Sequence, residues 1–279
     1  MERFRWIKAT LLLWGLAIPS LSHAFDQSHA AFIAVLARHV TWETAGTSSS
    51  VDYAGLQHDR GALSAYSDSL SRVTADEFGH WTSGQRRAFL LNAYNAFTVE
   101  LILTRYPDLT SIRDLGHMLF LSPWKKRFFT LLGATRSLDE VERVLLREAP
   151  GFDDPHIHFA LNCASVGCPA LRPEAYRAEV LGAQLDDQVS RFLRDRTRNH
   201  YVGGPVPTAY VSPLFRWYAM DFEAGFQGIT SVQVFLARYA TALGDSATDR
   251  ARIRSAGIRL AYTEYDWSLN ATSRVHHGV

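Results

Sequence analysis

The sequence predicts an α+β fold, a helix-rich single domain with a small sheet, for which a papain-like arrangement is one alternative. Three observations support this prediction. Most segments with a regular apolar pattern have the helical period, and only a few short ones alternate as strands do. Neither an internal repeat nor a low-complexity tract divides the chain. Hydrophobic residues make up 47% of it, which suffices for a packed core.

Residues 1–24 are predicted to be a secretory signal peptide. A basic start ends at Lys8, an apolar stretch follows from Ala9 to Ile18, and Ser22-His23-Ala24 forms a cleavage site. The apolar stretch has about half of the ~20 residues that a membrane-spanning helix needs, and no later segment is long enough. We therefore predict no stable membrane insertion and expect residues 25–279 to form one exported domain, periplasmic or secreted.

The charge balance excludes some classes of partner. The chain has 29 Lys and Arg residues against 28 Asp and Glu residues, a net charge of +1. The basic cluster Lys125-Lys126-Arg127 is short and is typical of a solvated loop. We therefore expect no nucleic-acid partner and predict a small-molecule or peptide ligand instead. No pattern in the sequence indicates an oligomeric state.

The N-terminal region is predicted to contain two helices. Phe25 to Arg38 and Ala62 to Ser71 have helical apolar spacing. The polar run from Thr47 to Asp52 between them is predicted to be a loop.

The next helix is predicted to be central. Thr82 and Gln85 form a capping box at its start, and it must end before Pro107. Its apolar residues surround the helix axis, which is typical of a helix buried within a domain. Asn92 and Asn95 interrupt this pattern and need partners. They either hold the backbone of a neighbouring loop, or orient a catalytic imidazole or line a pocket.

A second capping box, Ser137 with Glu140, predicts a helix from Leu138 to Ala149. The segment HIHFALN, residues 156–162, is predicted to be a short strand over the central helix. One face of that strand would carry His156, His158, Ala160 and Asn162.

The C-terminal half is predicted to contain three helices and a strand. Leu181 to Arg194 is amphipathic, Ser212-Pro213 opens a short helix, and TSVQVFLARYA is helical. GIRLAYTEYDWSLN alternates as a last strand. Two aromatic clusters, Phe215/Trp217/Tyr218 and Tyr262/Tyr265/Trp267, favour core packing, with a ligand groove as the alternative.

Five ordered segments resemble one known family. They are FLLNAYNAFTVELIL, LDEVERVLLRE, IHFALNCASVGCPALRPEAY, VSPLFRWYAMDFE and YTEYDWSLN. Together they resemble the domain of unknown function 547 (DUF547) family over residues 81–270. The resemblance implies one domain, and it implies no activity. The residues that match the pattern of the family are Asn92, Asn95, His158, Cys163, Cys168, Pro169, Asp221 and Tyr265-Asp266-Trp267.

The two cysteines of the chain, Cys163 and Cys168, allow three interpretations besides that of two inert thiols. In an oxidising compartment a disulfide is the first hypothesis. A metal site with His156 and His158 is the second, but its spacing is unlike that of common zinc sites, so we predict no metal and no cofactor. The third is a nucleophilic thiolate at Cys163.

The third interpretation leads to a predicted function. Cys163 would be the nucleophile and His158 its base, with His200 as a second candidate base. Asn92 or Asn95 would be the orienter or oxyanion donor, and the role of holding the imidazole is also open to Asp221 or Asp266. Substrate contacts are predicted at Cys168, Asp221, Tyr265, Asp266 and Trp267. We therefore predict an exported cysteine-dependent hydrolase or acyl transferase acting on a peptide-like or small thiol-containing substrate. The alternative is a non-enzymatic module that binds a ligand or partner and carries a Cys163–Cys168 disulfide.

Overall fold

The computed structural model describes residues 24–116, 122–147 and 153–272. These residues form a helix-rich α+β domain with small sheets, which confirms the predicted fold class. The predicted signal peptide lies outside the described residues except for Ala24. Within the described ranges, no helix is long and apolar enough to cross a membrane.

The N-terminal region contains four helices and a hairpin. Its elements are α1 (Ala30–His39), β1 (Val40–Trp42), β2 (Ser49–Val51), α2 (Tyr53–His58), α3 (Arg60–Arg72) and α4 (Ala75–Gly79). The prediction of a loop from Thr47 to Asp52 is wrong for Ser49–Val51. These residues form β2, which pairs antiparallel with β1. Distant contacts stabilise this polar strand: Ser49 Oγ donates to the Leu171 carbonyl at 2.7 Å, and the Val51 N–H donates to the Asn270 carbonyl at 2.9 Å.

Helix α5 (Ser83–Leu103) is the buried central helix that the sequence predicts. The Thr82/Gln85 capping box is present, and the helix ends before Pro107. Every residue from Ala88 to Val99 is buried. Helices α2 and α3 and the segment of residues 138–147 pack against it, so apolar side chains on several sides of α5 are removed from water.

The chain then forms a second hairpin and an irregular helix. Short 3-10 helices (Ile112–Leu115 and Pro123–Lys125) precede β3 (Phe129–Leu131), which pairs antiparallel with β4 (Ala134–Arg136). Helix α6 (Leu138–Glu140) begins at the predicted Ser137/Glu140 capping box and continues as a π-helix (Val141–Arg147). Its predicted end at Ala149 lies outside the described residues.

The predicted strand at HIHFALN is wrong. Pro155–Phe159 is a 3-10 helix with proline at its first position. The Asp154 carboxylate accepts the His156 N–H at 3.0 Å and caps this helix. Proline has no N–H to give to a strand ladder, so the local sequence favours the helical turn. As a result His156 and His158 do not share one face as they would in a strand.

The C-terminal half combines helices with a three-stranded sheet. Helix α7 (Leu181–Arg194) has the predicted bounds. The sheet consists of β5 (His200–Val202), β6 (Thr208–Val211) and β7 (Arg259–Tyr262), in which β5 and β6 are antiparallel and β6 and β7 are parallel. The remaining helices are α8 (Leu214–Trp217), α9 (Ala219–Glu223), α10 (Val232–Arg238), α11 (Ala240–Leu243) and α12 (Ala247–Arg254). The predicted last strand is thus confined to β7.

Two hydrophobic cores are joined by the segment that contains the 3-10 helix. One core surrounds α5, and the other surrounds Phe215 and Phe235. Ile157 and Leu161 pack into the first core, whereas Phe159 packs into the second. The segment leading to Cys163 is therefore anchored on both sides.

Candidate active site

A cavity of about 300 Å³ lies where the two cores meet. Five of the predicted site residues line it: His158, Cys163, Cys168, Tyr265 and Trp267. Aromatic walls come from Tyr94, Trp124, Trp217 and Tyr218, and charged groups from Asp139, Glu142, Arg143 and Arg147. The cavity therefore combines a thiol, an imidazole, apolar walls and charges of both signs.

Cys163 lies on a strained turn. The next residue, Ala164, has a φ of 61°, a left-handed conformation that a residue with a Cβ rarely adopts. Its N–H donates to Asn162 Oδ1 at 3.0 Å, and its carbonyl accepts the Asn270 N–H at 3.2 Å. Such strain persists where the surrounding structure fixes it, and it is common at functional sites.

The C-terminal segment (residues 265–272) crosses the cysteine loop (residues 163–168) and brings an aromatic residue to the thiol. The Val166 N–H donates to the Ser268 carbonyl and the Gly167 N–H to the Asp266 carbonyl, both at 2.8 Å. A Cβ on Gly167 would lie 2.9 Å from that Asp266 oxygen, so the crossing requires glycine. This backbone pairing positions Tyr265 beside Cys163.

The Cys163 thiol is surrounded by hydrogen-bonding groups. Its Sγ lies 3.1 Å from Ser165 Oγ and 3.1 Å from Tyr265 Oη, and these two oxygens are 3.1 Å apart. Burial by itself raises the pKa of Cys163, but hydrogen bonds with Cys168, Ser165 and Tyr265 outweigh burial and lower the pKa to about 7. Much of the thiol is therefore ionised at neutral pH.

Cys168 is a free thiol like Cys163, so the disulfide considered from the sequence is not formed in this structure. Its Sγ accepts the Cys163 N–H at 2.8 Å. Burial and the neighbouring Cys163 raise the pKa of Cys168. The two thiols thus differ in their chemistry: one ionises readily and the other stays protonated.

His158 is held by a carboxylate behind the cavity. Its Nε2 lies 2.6 Å from Asp221 Oδ2, and its ring stacks on Tyr218 with 3.8 Å between centroids. A carboxylate accepts hydrogen bonds, so Nε2 carries the proton and the lone pair of a neutral ring is on Nδ1. That Nδ1 is buried and has no hydrogen-bond partner in the described part of the chain. Neither ring nitrogen hydrogen-bonds Cys163.

Asp221 is in turn held by an arginine. Arg147 donates from Nε to Oδ2 at 2.6 Å and from a terminal nitrogen to Oδ1 at 2.9 Å. Burial opposes ionisation of Asp221, but His158 and Arg147 together hold its pKa well below the usual range. Asp221, predicted as a substrate contact, therefore lies behind the imidazole and orients it.

Asn92 and Asn95 hold backbone, the first of their two predicted alternatives. Asn92 accepts the Tyr176 N–H at 2.9 Å and donates to the Tyr176 carbonyl at 2.8 Å. Asn95 donates to the Ala160 carbonyl and accepts the Asn162 N–H, both at 2.9 Å. Both amides are thus occupied with backbone groups. Of the four residues to which the orienting role was open, Asp221 makes the contact with His158.

The other predicted residues lie elsewhere. His156 contacts Asp154 at 2.5 Å and Tyr239 at 2.8 Å, in a different pocket from the cysteines. His200 stacks on Tyr210 in the sheet, and the Asp266 carboxylate accepts the Ser268 N–H. Among the residues that the structure describes, no three His, Cys, Asp or Glu side chains are grouped to hold a metal ion.

Sequence reasoning missed several groups of the site. The sequence assigns no role to Ser165 or Arg147, and the aromatic cluster Phe215/Trp217/Tyr218 divides between its two predicted alternatives, core and groove. Phe215 is fully buried in the core, but Trp217 is 46% exposed and lines the cavity with Tyr218. Ser165 lies only two positions after Cys163, but the sequence does not reveal the turn that brings the two side chains together. The Arg147–Asp221 contact spans 74 positions and left no signal in the sequence.

Comparison with known proteins supports the resemblance noted from the motifs. Residues 78–193 match the family described as "Protein of unknown function, DUF547". The matched region contains α5, His158 and both cysteines, whereas Asp221 and Tyr265 follow it. No curated protein matches the chain, and no solved structure matches it. The predicted resemblance to the DUF547 family is therefore confirmed over residues 78–193, and the description of the family assigns no activity.

Proposed function

We propose that this chain is a cysteine-dependent hydrolase or acyl transferase with Cys163 as the nucleophile. One observation carries the proposal: a thiol with a lowered pKa shares a cavity with an imidazole that a half-buried carboxylate orients. Nucleophile, base and orienting acid are the parts that covalent acyl transfer requires. Here they are Cys163, His158 and Asp221.

The first half of the reaction forms an acyl-thiol. The Cys163 thiolate attacks the substrate carbonyl carbon, and the carbonyl oxygen gains the negative charge of the tetrahedral intermediate. The Ser165 and Tyr265 hydroxyls, each 3.1 Å from the sulfur, are donors that can stabilise that new charge. Collapse of the intermediate expels the leaving group, which takes from His158 Nδ1 the proton that this nitrogen accepted when the Cys163 thiol ionised.

The second half releases the acyl group. His158 Nδ1, which has no partner among the described residues, takes a proton from water or from an acceptor amine or thiol. The activated acceptor attacks the acyl-thiol and regenerates the Cys163 thiolate. Water gives hydrolysis, and an amine or thiol gives transfer. The Arg147–Asp221 pair keeps the ring in one tautomer through both halves.

The cavity favours a small or peptide-like acyl group. Its volume of about 300 Å³ is at the lower end for small-molecule sites. The aromatic walls suit an apolar or aromatic side chain, and the charges of both signs that line the cavity suit the ends of an amino acid or short peptide.

One observation favours a second candidate, a non-enzymatic module that binds a ligand or a partner protein. His158 makes no hydrogen bond to Cys163, so the nucleophile and the base are not yet coupled. Catalytic hydrogen bonds are often long without substrate, so the enzyme remains the first candidate.

A chromogenic activated ester, p-nitrophenyl acetate, separates the two candidates. The enzyme should release a burst of one nitrophenol per chain, followed by steady turnover. Mass spectrometry should find the acetyl group on Cys163. Cys163→Ala should abolish both phases. His158→Gln should slow turnover strongly, while the control His200→Gln, on the sheet, should not. Acetylation of Cys163 without turnover would contradict the enzyme and favour the non-enzymatic binding module.

Export is also part of the proposal. Residues 1–24 have the basic, apolar and small-residue order of a signal peptide. Protein recovered from outside the cytoplasm should begin at Phe25 on N-terminal sequencing. Material that retains Met1 and stays bound to membranes would contradict export.

A further inference from the structure

Cys168 has no part in the acyl-transfer steps, although it lies beside the nucleophile in the same cavity. We infer that the two cysteines form a peroxide-reactive pair: Cys163 is oxidised by a hydroperoxide, and Cys168 resolves the product as an intramolecular disulfide. This activity does not depend on acyl transfer, because it needs neither His158 nor an acyl substrate.

The geometry of the loop carries the inference. The Cys163 N–H donates to Cys168 Sγ at 2.8 Å, so the second sulfur already lies against the first residue in the reduced protein. The Cys168 N–H donates to the Ser165 carbonyl at 3.1 Å, which folds the short connection back on itself. Rotation of the two cysteine side chains can therefore bring the sulfurs together, and no helix or strand has to move.

Exposure assigns the two roles. Cys163 is half-buried and open to the cavity, whereas Cys168 is only 6% exposed. A dissolved oxidant therefore reaches Cys163 first. The lowered pKa of Cys163 and the raised pKa of Cys168 support the same assignment, because the thiolate is the form that attacks peroxide.

The surrounding hydroxyls suit the first step. Ser165 and Tyr265 are both within 3.1 Å of the Cys163 sulfur, where they can donate to the oxygen that leaves a peroxide. The Cys163 thiolate attacks the terminal oxygen of R–O–OH, so an S–O bond forms and the O–O bond breaks. The alkoxide takes a proton and leaves as R–OH, and Cys163 becomes a sulfenic acid.

The second step forms the bridge. The Cys168 sulfur attacks the Cys163 sulfur, an S–S bond forms, and the S–O bond breaks. The departing hydroxide takes the Cys168 proton and leaves as water. In sum the peroxide gains two electrons and the two thiols lose them. A dithiol reductant such as dithiothreitol restores both thiols by exchange.

The test uses the purified chain, reduced and then freed of reductant without oxygen. One molar equivalent of hydrogen peroxide should lower the free-thiol count from both cysteines to none, and dithiothreitol should restore it. No Lys or Arg lies between Cys163 and Cys168, so both thiols stay on one tryptic peptide. That peptide should lose the mass of two hydrogen atoms, and non-reducing gels should show no dimer.

Two variants separate the roles. Cys168→Ser should stop at the sulfenic acid, which dimedone captures, and excess peroxide should carry it on to the sulfinic acid. Cys163→Ser should lose no thiol at one equivalent. If either variant fails to fold, the mass of the wild-type tryptic peptide still shows whether the intramolecular disulfide forms. Thiols that persist, bridges only between chains, or equal oxidation of Cys163→Ser would each overturn the inference. Acyl transfer can fail in its own assay without affecting these results.

Discussion

At the scale of single residues, the hydroxyls around Cys163 oppose the effect of burial. A buried thiol without donors resists ionisation, whereas two hydroxyls at 3.1 Å stabilise the thiolate. The sequence suggests a reactive cysteine but not this cause, because Tyr265 lies 102 positions away from Cys163. Ser165 lies close in sequence, yet a serine two positions from a cysteine has no meaning until the turn at Ala164 is known.

The first prediction concerns Tyr265→Phe, which removes one of these donors. The pH midpoint for alkylation of Cys163 by iodoacetamide should be about 7 in the wild type and higher in the variant. A shift of one pH unit would slow alkylation at pH 7 by about fivefold, because the thiolate fraction falls by that factor. Tyr262→Phe is the control, since Tyr262 is 38% exposed at the end of β7. Equal midpoints in all three proteins would contradict the role of Tyr265.

The second prediction concerns Asp221→Asn. The pKa of Asp221 is lower in the folded state than in the unfolded state, so its ionised form stabilises the fold fully above the unfolded pKa, about 4. This stabilisation is lost as the pH falls below about 4 toward the folded pKa, because the unfolded state then binds a proton first. At pH 7 the variant should be less stable by about 1–3 kcal/mol, the cost of removing charged hydrogen bonds.

Urea unfolding of both proteins at several pH values measures this difference. The gap in the free energy of unfolding should be constant near neutral pH and should narrow below about pH 4. Asp76→Asn is the matched control, because the Asp76 side chain is 91% exposed, and it should leave stability nearly unchanged. A gap that stays constant down to the acid limit would show that Asp221 is not selectively stabilised as a carboxylate.

At the scale of elements, local signals were readable and distant ones were not. The capping boxes at α5 and α6 involve residues three apart, and the stripe of α7 repeats within its own length, so each was predicted correctly. β2 is polar and is held by Leu171 and Asn270, so its sequence resembles a loop. The 3-10 helix at Pro155 was misread because alternation over few residues fits either structure.

The third prediction concerns the central helix α5. Leu91 is fully buried in the first core, so Leu91→Ala should lower the free energy of unfolding by about 2–5 kcal/mol through lost contacts and a cavity. Met220→Ala in α9 is the control, because Met220 is 80% exposed, and it should change stability little. Chemical denaturation measures both. A loss of only a few tenths of a kcal/mol at Leu91 would mean that α5 is not central to the fold.

At the scale of the whole molecule, the candidate site depends on three distant parts of the chain that meet at the cysteine loop. The 3-10 helix anchors the cysteine loop in both cores, and α9 supplies Asp221. The C-terminal segment crosses the cysteine loop. That segment also joins the N-terminal hairpin, since the Thr272 N–H donates to the Val51 carbonyl at 3.0 Å. The motifs predicted which segments matter, but only the folded chain brings their side chains together.

The last prediction tests this crossing through Gly167→Ala. The added Cβ would lie 2.9 Å from the Asp266 oxygen, so the C-terminal segment must move away from the cysteine loop. Overpacking of this kind costs about 1–3 kcal/mol. The displaced Tyr265 should lose its contact with Cys163, and the pH midpoint for alkylation should therefore rise together with the loss of stability.

Gly61→Ala provides the matched control. No heavy atom lies within 4 Å of a Cβ at Gly61, which is within α3, so this variant should be neutral or more stable by up to about 1 kcal/mol. Its alkylation midpoint should equal that of the wild type. If Gly167→Ala lowers stability but leaves the midpoint unchanged, the crossing supports the fold without setting the reactivity of Cys163. If the alkylation midpoint rises in Gly167→Ala but not in Gly61→Ala, the contact between the C-terminal segment and the cysteine loop sets the reactivity of Cys163.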